Sequence, residues 1–183
     1  MAIAHPAQAR ATSERLLTLG EWAALPKDTA GELVDGVLME EEVSDSIHEL
    51  VVTWLVALFR TWLRGRGGFV FGSDLKLAVS DLRGRKPDLS VYLPGGVAPP
   101  RRGLVRLPPD IAVEVVSPSS RDERRDRIEK MGEYSAFGIR YYWLVDPAPA
   151  RPARGHRLRR RVQLRLSPVL SHSTVADLRH HAC

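Results

Sequence analysis

A carboxylate in the middle of an otherwise apolar strand is the feature that most constrains the fold of this chain. Asp110 to Val116 has the apolar density of a central β-strand that is covered on both faces, and Glu114 stands within it. Alternation along the strand puts Ala112, Glu114 and Val116 on one face. An ionised carboxylate in a buried strand is costly unless it is paired or binds a metal, so another group must compensate Glu114.

The rest of the chain predicts helices and strands in mixed order. Ser46 to Leu63 predicts a helix, because its apolar side chains recur at i, i+3, i+4 and i+7, and its few charges predict that most of its surface is buried. The other predicted elements are a helix at Leu16 to Leu25, a hairpin at Glu32 to Glu42, strands at Phe69 to Val79, Pro87 to Leu93 and Arg140 to Val145, and a charged helix at Arg121 to Ala136. We therefore predict an α/β or α+β domain built around one central mixed β-sheet flanked by helices.

The length and the distribution of charge predict one domain with a distinct tail. Residues 148–183 hold eight Arg, one Asp and neither Lys nor Glu, so their net charge is +7. The whole chain has a net charge of +5, so residues 1–147 have a net charge of −2. We predict a disordered N-terminus over residues 1–15, a domain over residues 16–147, and an Arg-rich tail over residues 148–183 that is either divergent or read in an altered frame. Alternating apolar residues permit a strand at Arg157 to Leu166.

Composition excludes several classes of protein. The single cysteine, Cys183, excludes an intrachain disulfide and a zinc–cysteine cluster. The longest uncharged apolar run, Val51 to Phe59, is far shorter than the roughly 20 residues of a membrane span. The N-terminus lacks the basic-then-apolar pattern of a signal peptide, so we expect a cytoplasmic protein with no membrane association.

Asp88 and Lys130 are the candidate partners of Glu114. Asp88 opens the predicted strand that precedes the strand of Glu114, so the two carboxylates converge at one end of the sheet if these strands are neighbours. Two hard oxygen ligands with room for water describe a Mg²⁺ site. Lys130 follows on the next helix and could supply a cation there. Alternatively, Lys130 pairs with Asp126 or Glu133 on a solvated helix face.

These residues, with several others, resemble the PD-(D/E)-x-K superfamily of restriction-endonuclease-like proteins. More closely, the chain resembles the bacterial putative restriction endonuclease family, known as a domain of unknown function. The matching stretches span about residues 16–147 and are Glu32 to Gly36, His48, Gly72 to Asp74, Pro87 to Val91, Val113 to Ser119, Lys130, Tyr134, Gly138 and Tyr142 to Asp146. The superfamily motif has a lysine two residues after the glutamate, where this chain has Val116. In the closer family the following helix supplies the lysine, which fits Lys130.

The resemblance implies a restriction-endonuclease-like core and an activity. The activity is that of a Mg²⁺- or Mn²⁺-dependent DNA endonuclease, which hydrolyses phosphodiester bonds. Asp88 and Glu114 would be metal ligands, binding one or two ions that activate a water and stabilise charge on the phosphate. Lys130 would complete the catalytic set by placing that water and screening the developing negative charge. Because many superfamily members are dimers, a homodimer is also compatible with the resemblance.

Three further residues are candidates for the same site. Glu32 matches a family position and is either a metal-proximal acid or a surface charge of the hairpin. Asp74 is either a third carboxylate near the metal or a strand-end cap. His48 lies on the flank of an apolar helix, where a hydrogen-bonded structural histidine is the alternative to a ligand. Tyr134 and Trp143 are interpreted as core residues.

The charge distribution leaves other functions open. A body with a net charge of −2 has no evident groove for a polyanion, whereas affinity for nucleic acid rests on Lys and Arg. The arginines that could form such a surface are Arg83, Arg85, Arg101, Arg102 and Arg106 in loops and Arg121, Arg124, Arg125 and Arg127 in a helix. One alternative is a catalytically inactive module on the same fold that binds nucleic acid or protein. The other is a protein whose carboxylates only form a buried ion-pair network.

Overall fold

The computed structural model describes residues 16–26, 29–39, 45–116, 123–147 and 163–168. Within these ranges the chain forms three helices: α1 (Leu19–Ala24), α2 (Ser46–Leu63) and α3 (Glu123–Phe137). The nine strands in the same ranges are β1 (Glu32–Val34), β2 (Val37–Met39), β3 (Phe69–Phe71), β4 (Leu77–Ala78), β5 (Gly84–Arg85), β6 (Leu89–Tyr92), β7 (Ile111–Val115), β8 (Tyr141–Asp146) and β9 (Gln163–Pro168).

Five strands form the central sheet in the order β3-β6-β7-β8-β9. Its β7–β8 pair is parallel and its other pairs are antiparallel, so the sheet is mixed. Side chains alternate along β7: Val113 and Val115 pack in one apolar cluster with Leu55 of α2, whereas Ala112 packs in another with Tyr134 of α3. Helices thus cover both faces of β7, and the predicted class, a mixed sheet flanked by helices, is confirmed.

A second, smaller sheet was not predicted. It has the order β2-β1-β5-β4, is antiparallel throughout, and is covered by α1, whose Trp22 is buried. A Cβ atom at Gly84 would lie 2.3 Å from the Trp22 ring, so this sheet requires glycine there. The prediction of a single strand at Phe69 to Val79 was wrong. The start of this segment forms β3 in the central sheet, and its end forms β4 in the smaller sheet.

The predicted burial of most of α2 was also wrong. Leu55 and Phe59 pack on the central sheet, but Trp54 and Trp62 on another face of the helix are 53% and 46% exposed. The helix is apolar around most of its circumference, so composition does not reveal which part faces the sheet. Of the described helices, only α2 is long and apolar enough to cross a membrane by length and composition, a test that core helices of soluble proteins also pass.

Much of the two chain ends lies outside the described residues. Residues 1–15 are not described, so the disorder expected there stays a prediction. The assignment of residues 148–183 as a separate tail also stays a prediction. Within that tail, β9 overlaps the strand predicted at Arg157 to Leu166. It pairs antiparallel with β8 and extends the central sheet by one strand.

Candidate active site

Asp88 and Glu114 are brought together by the pairing of β6 with β7. These antiparallel strands pair Leu89 with Val113, so one further step of the same register places Asp88 opposite Glu114. Asp88 is close enough to Glu114 for its negative charge to contribute to the raised pKa of that residue. The backbone N–H of Val115 donates a hydrogen bond of 2.7 Å to Oδ2 of Asp88 and holds this carboxylate against β7.

Helix α3 supplies two groups to Glu114. The Tyr134 hydroxyl donates a hydrogen bond of 2.8 Å to Oε1, and Nζ of Lys130 lies 3.6 Å from Oε2. Lys130 and Tyr134 are four residues apart and therefore share one helix face. Burial raises the pKa of Glu114 to about 8 in spite of Lys130, and the negative charges of Asp88 and Glu32 add to the rise.

Glu32 on β1 shares the lysine with Glu114. Its Oε2 lies 3.2 Å from Nζ of Lys130 and 2.6 Å from Nη1 of Arg85, and its Oε1 accepts a hydrogen bond of 2.9 Å from the backbone N–H of Lys86. Burial acts to raise the pKa of Glu32, but these two cations and the N–H together hold it below its usual value. Lys130 thus lies between two carboxyl groups, that of Glu32, which is held ionised, and that of Glu114, whose ionisation is disfavoured by burial.

Arg85 connects this site to a buried ion-pair network. Its side chain is 3% exposed and pairs with Glu32 and, through Nε at 2.7 Å, with Glu133 of α3. Arg83 contacts Glu133 as well and also pairs with Asp35 at 2.7 Å. The suggestion that Arg85 contributes to a surface for nucleic acid was wrong, because its guanidinium group is buried and paired with carboxylates. The same suggestion for Arg83, whose side chain is 28% exposed, stays a prediction.

The remaining predicted arginines have different outcomes. Arg101, Arg102 and Arg106 are exposed in the segment between β6 and β7. The side chains of Arg121, Arg124, Arg125 and Arg127 lie outside the described part of the structure. A surface for nucleic acid built from either set stays a prediction.

His48 contacts the site from the first turn of α2. Oδ1 of Asp45 caps this helix by accepting the backbone N–H groups of Ile47 and His48. Nε2 of His48 lies 3.1 Å from Oδ2 of Asp88, and because an ionised carboxylate only accepts, Nε2–H is the donor. This hydrogen bond raises the pKa of His48 above its usual value, against the effect of burial.

Asp74 is the one predicted residue that these contacts do not include. It is exposed in the turn between β3 and β4, and its described interaction is with Lys76. The described contacts therefore join Asp88, Glu114, Lys130, Glu32 and His48 in one cluster and leave Asp74 outside.

The donor set fits a hard divalent cation. In the described residues the contacts of Asp88 all go to Oδ2, which leaves Oδ1 for a ligand. Burial, and after it the negative charges of Asp88 and Glu32, raise the pKa of the neighbouring Glu114, so a further cation there would stabilise its ionised form. No group of three or more His, Cys, Asp or Glu suited to a metal occurs in the described part of the chain. Mg²⁺ is suited to one or two carboxylates because it retains several waters.

Sequence reasoning missed the roles of two side chains here. Tyr134 is buried, as expected of a core residue, but its hydroxyl also donates to Glu114. Its spacing of four residues from Lys130 was a usable signal. Arg85 was grouped with surface arginines, and no pattern in the sequence distinguishes it from Arg83.

Comparison with known proteins relates the chain to one family and to several solved structures. The sequence model of a family described as "Uma2: Putative restriction endonuclease" matches residues 17–180. The crystal structure of a putative nuclease belonging to DUF820 from Anabaena variabilis ATCC 29413 is similar, with a TM-score of 0.61 and 19% sequence identity. The similarity covers 81% of this chain and 83% of that chain, and at this identity it supports the fold alone. No curated protein matches significantly.

Proposed function

Because the chain belongs to the Uma2 family of putative restriction endonucleases, we propose that it is a Mg²⁺-dependent DNA endonuclease. The family supports a nuclease-like function, and the metal and the DNA substrate are our proposal. The observation that carries it is the pair of opposed carboxylates, Asp88 and Glu114, with Nζ of Lys130 3.6 Å from the second one. Mn²⁺ is expected to replace Mg²⁺ because it favours similar oxygen ligands.

Asp88 and Glu114 are the proposed metal ligands, for one or two ions. When bound, the metal supplies Lewis acidity toward the phosphate and lowers the pKa of a water. His48 and the Val115 N–H hold Oδ2 of Asp88, so Oδ1 would be the oxygen available to the cation. Tyr134 holds Oε1 of Glu114 in the same way.

Lys130 is the proposed third catalytic residue. Glu32, at 3.2 Å, restricts the position of its ammonium group beside Glu114. From there the ammonium group orients the attacking water and stabilises negative charge that develops on the phosphate. Glu32 is therefore a positioning residue, which acts through Lys130.

Cleavage of supercoiled plasmid in Mg²⁺ and in Mn²⁺ tests this proposal. Asp88→Asn, Glu114→Gln and Lys130→Met should each lower the rate of nicking by at least about 100-fold, the usual effect of removing one catalytic group. Asp110→Asn is the matched control, because Asp110 lies at the other end of β7, where Oδ2 accepts the Leu93 N–H at 2.7 Å. Cleavage that survives in the Asp88 and Glu114 variants would overturn the proposal.

A binding module without catalysis is the second candidate. It is favoured by the position of Lys130, whose Nζ is closer to Glu32 Oε2, at 3.2 Å, than to Glu114 Oε2, at 3.6 Å. Such a protein would bind duplex DNA with equal affinity in EDTA and in Mg²⁺ and leave plasmid intact. The endonuclease cuts plasmid in Mg²⁺ or Mn²⁺, so the same two measurements distinguish the candidates.

A further inference from the structure

One face of α2 presents a line of large apolar side chains to solvent. They are Ile47, Leu50, Trp54, Leu58 and Trp62, with exposed fractions from 36% to 64%, and we call them the α2 stripe. Spacings of three and four residues place them along one side of the helix. The stripe lies beside the buried face that packs on the central sheet.

The α2 stripe is large for a protein without a partner. At these exposures its five side chains leave on the order of 500 Å² of apolar surface uncovered, near the upper end of the largest patch on a typical monomer. Two copies that paired through the stripe would bury about 1,000 Å² from these side chains alone. A polar rim would bring the interface to the roughly 1,200 Å² at which specific interfaces begin.

We propose that a second copy of this chain covers the stripe, with the two α2 helices antiparallel across a two-fold axis at Trp54. The stripe is nearly symmetric about this residue, with Leu50 and Leu58 four residues to either side, so an antiparallel pair centred there sets Trp54 against its own copy. Leu50 then faces Leu58 of the other copy, and Ile47 faces Trp62. A two-fold interface requires this kind of self-complementary patch.

The charges at the two ends of α2 favour the antiparallel arrangement. Asp45 at the start of the helix and Glu49 in its first turns are exposed. Arg60, Arg64 and Arg66 are exposed at its other end, where the Arg66 guanidinium lies 5.2 Å above the Trp62 ring. In an antiparallel pair the acidic start of each helix lies near the basic end of the other, and the helix dipoles oppose each other favourably.

The same charges disfavour a lipid surface as the occupant. Helices that lie on membranes carry many Lys and Arg along their polar face, whereas α2 contains Arg60 as its one basic residue besides His48. The acidic residues at its start would be repelled by anionic headgroups. A second copy of the chain therefore fits the surface better than a membrane.

Sedimentation equilibrium of the full chain over micromolar concentrations tests the proposal. The wild type should have twice the chain mass of 20.4 kDa. Trp54→Glu should weaken the dimer by at least about 30-fold, as expected for a residue at the centre of an interface. Thr53→Glu adds the same charge to the exposed neighbouring position outside the stripe, and this variant should stay dimeric.

Crosslinking keeps the proposal testable if Trp54→Glu does not fold. In a Cys183→Ala background, a short bis-maleimide should join two copies of the Trp54→Cys variant. The Glu49→Cys variant is the control, because in the proposed pair its two copies are separated by about ten helical residues, roughly 15 Å along the axis. A monomeric wild type overturns the proposal. Flotation with anionic vesicles then tests whether the monomer binds a lipid surface instead. A dimer that tolerates Trp54→Glu, or crosslinks equally at position 49, overturns it as well.

Discussion

Nε2 of His48 donates to the same oxygen of Asp88, Oδ2, that accepts the backbone N–H of Val115. Two donors on one oxygen restrict the rotation of the carboxylate and leave the other oxygen for a ligand. A histidine on the first helix that packs on the sheet thereby sets the orientation of a candidate metal ligand that is forty residues away in the chain.

His48→Ala should therefore weaken metal binding without abolishing it. Partners that orient a ligand typically contribute about 10- to 100-fold to metal affinity, and we expect a loss in this range for Mn²⁺ measured by calorimetry. Glu49→Gln, which alters the exposed neighbour 3.6 Å from Nδ1 of His48, is the matched control and should bind like the wild type. Equal affinity in His48→Ala would show that the histidine is only structural.

Glu114→Gln should stabilise the metal-free protein, and more so at high pH. The folded-state pKa of Glu114, about 8, lies above its ordinary value of 4.5. Between these values the folded protein binds more protons than the unfolded chain, so its stability falls as the pH rises. Glu114→Gln does not lose stability in this way. The difference in Tm between the variant and the wild type should therefore grow from pH 5 to pH 9 and reach several degrees.

Thermal unfolding in EDTA across this pH range measures the difference between Glu114→Gln and the wild type. A constant difference in Tm would contradict the account of Glu114 as a buried carboxylate that resists ionisation. Added Mg²⁺ should raise the Tm of the wild type and leave that of the variant nearly unchanged, because a ligand stabilises the state that binds it.

Arg85→Met should destabilise the fold strongly. Its loss leaves the carboxylates of Glu32 and Glu133 without their buried partner, and breaking a buried ion pair on one side costs about 3–5 kcal/mol. Arg83→Met is the matched comparison, because the Arg83 side chain is 28% exposed and one of its partners, Asp35, is 61% exposed. Its cost should be about 1 kcal/mol. Urea unfolding of the two variants measures both values, and similar midpoints would contradict the assigned burial.

Gly84→Ala should also be destabilising, for a packing reason. The added methyl group would lie 2.3 Å from the Trp22 ring, so either the ring or the small sheet has to move. Overpacking of this kind costs about 1–3 kcal/mol. Gly72→Ala, at a glycine with open space around it and no positive φ, is the matched control for loss of glycine alone. A Gly84→Ala variant as stable as the wild type in urea would contradict the close packing.

Local signals in the sequence were sufficient for the elements that depend on neighbouring residues. The bounds predicted for α2, Ser46 to Leu63, match the structure, because apolar spacing and the caps are local. Asp35 and Gly36 both have positive φ, as a two-residue hairpin turn requires. The split of Phe69 to Val79 between two sheets depends on partners such as Tyr92 and Gly84, and no local pattern contains that information.

The candidate site shows the same division. Glu114 could be identified because a carboxylate in an apolar strand needs compensation, and Asp88 followed from the order of the strands. The burial of Arg85, by contrast, arises from β5, a strand of two residues between β1 and β4. The exposure of Trp54 likewise depends on which side of α2 meets the sheet. Such features depend on tertiary packing, which residue periodicity does not determine.

Calorimetric titration of Mn²⁺ is the measurement that tests the central claim most directly. That claim is that Asp88 and Glu114 together hold a divalent cation. The wild type and the Asp110→Asn control should bind one or two ions, and Asp88→Asn and Glu114→Gln should each lose most of that binding. A wild type that binds no Mn²⁺ at millimolar concentrations, or carboxylate variants that bind it as tightly as the wild type, would contradict the account.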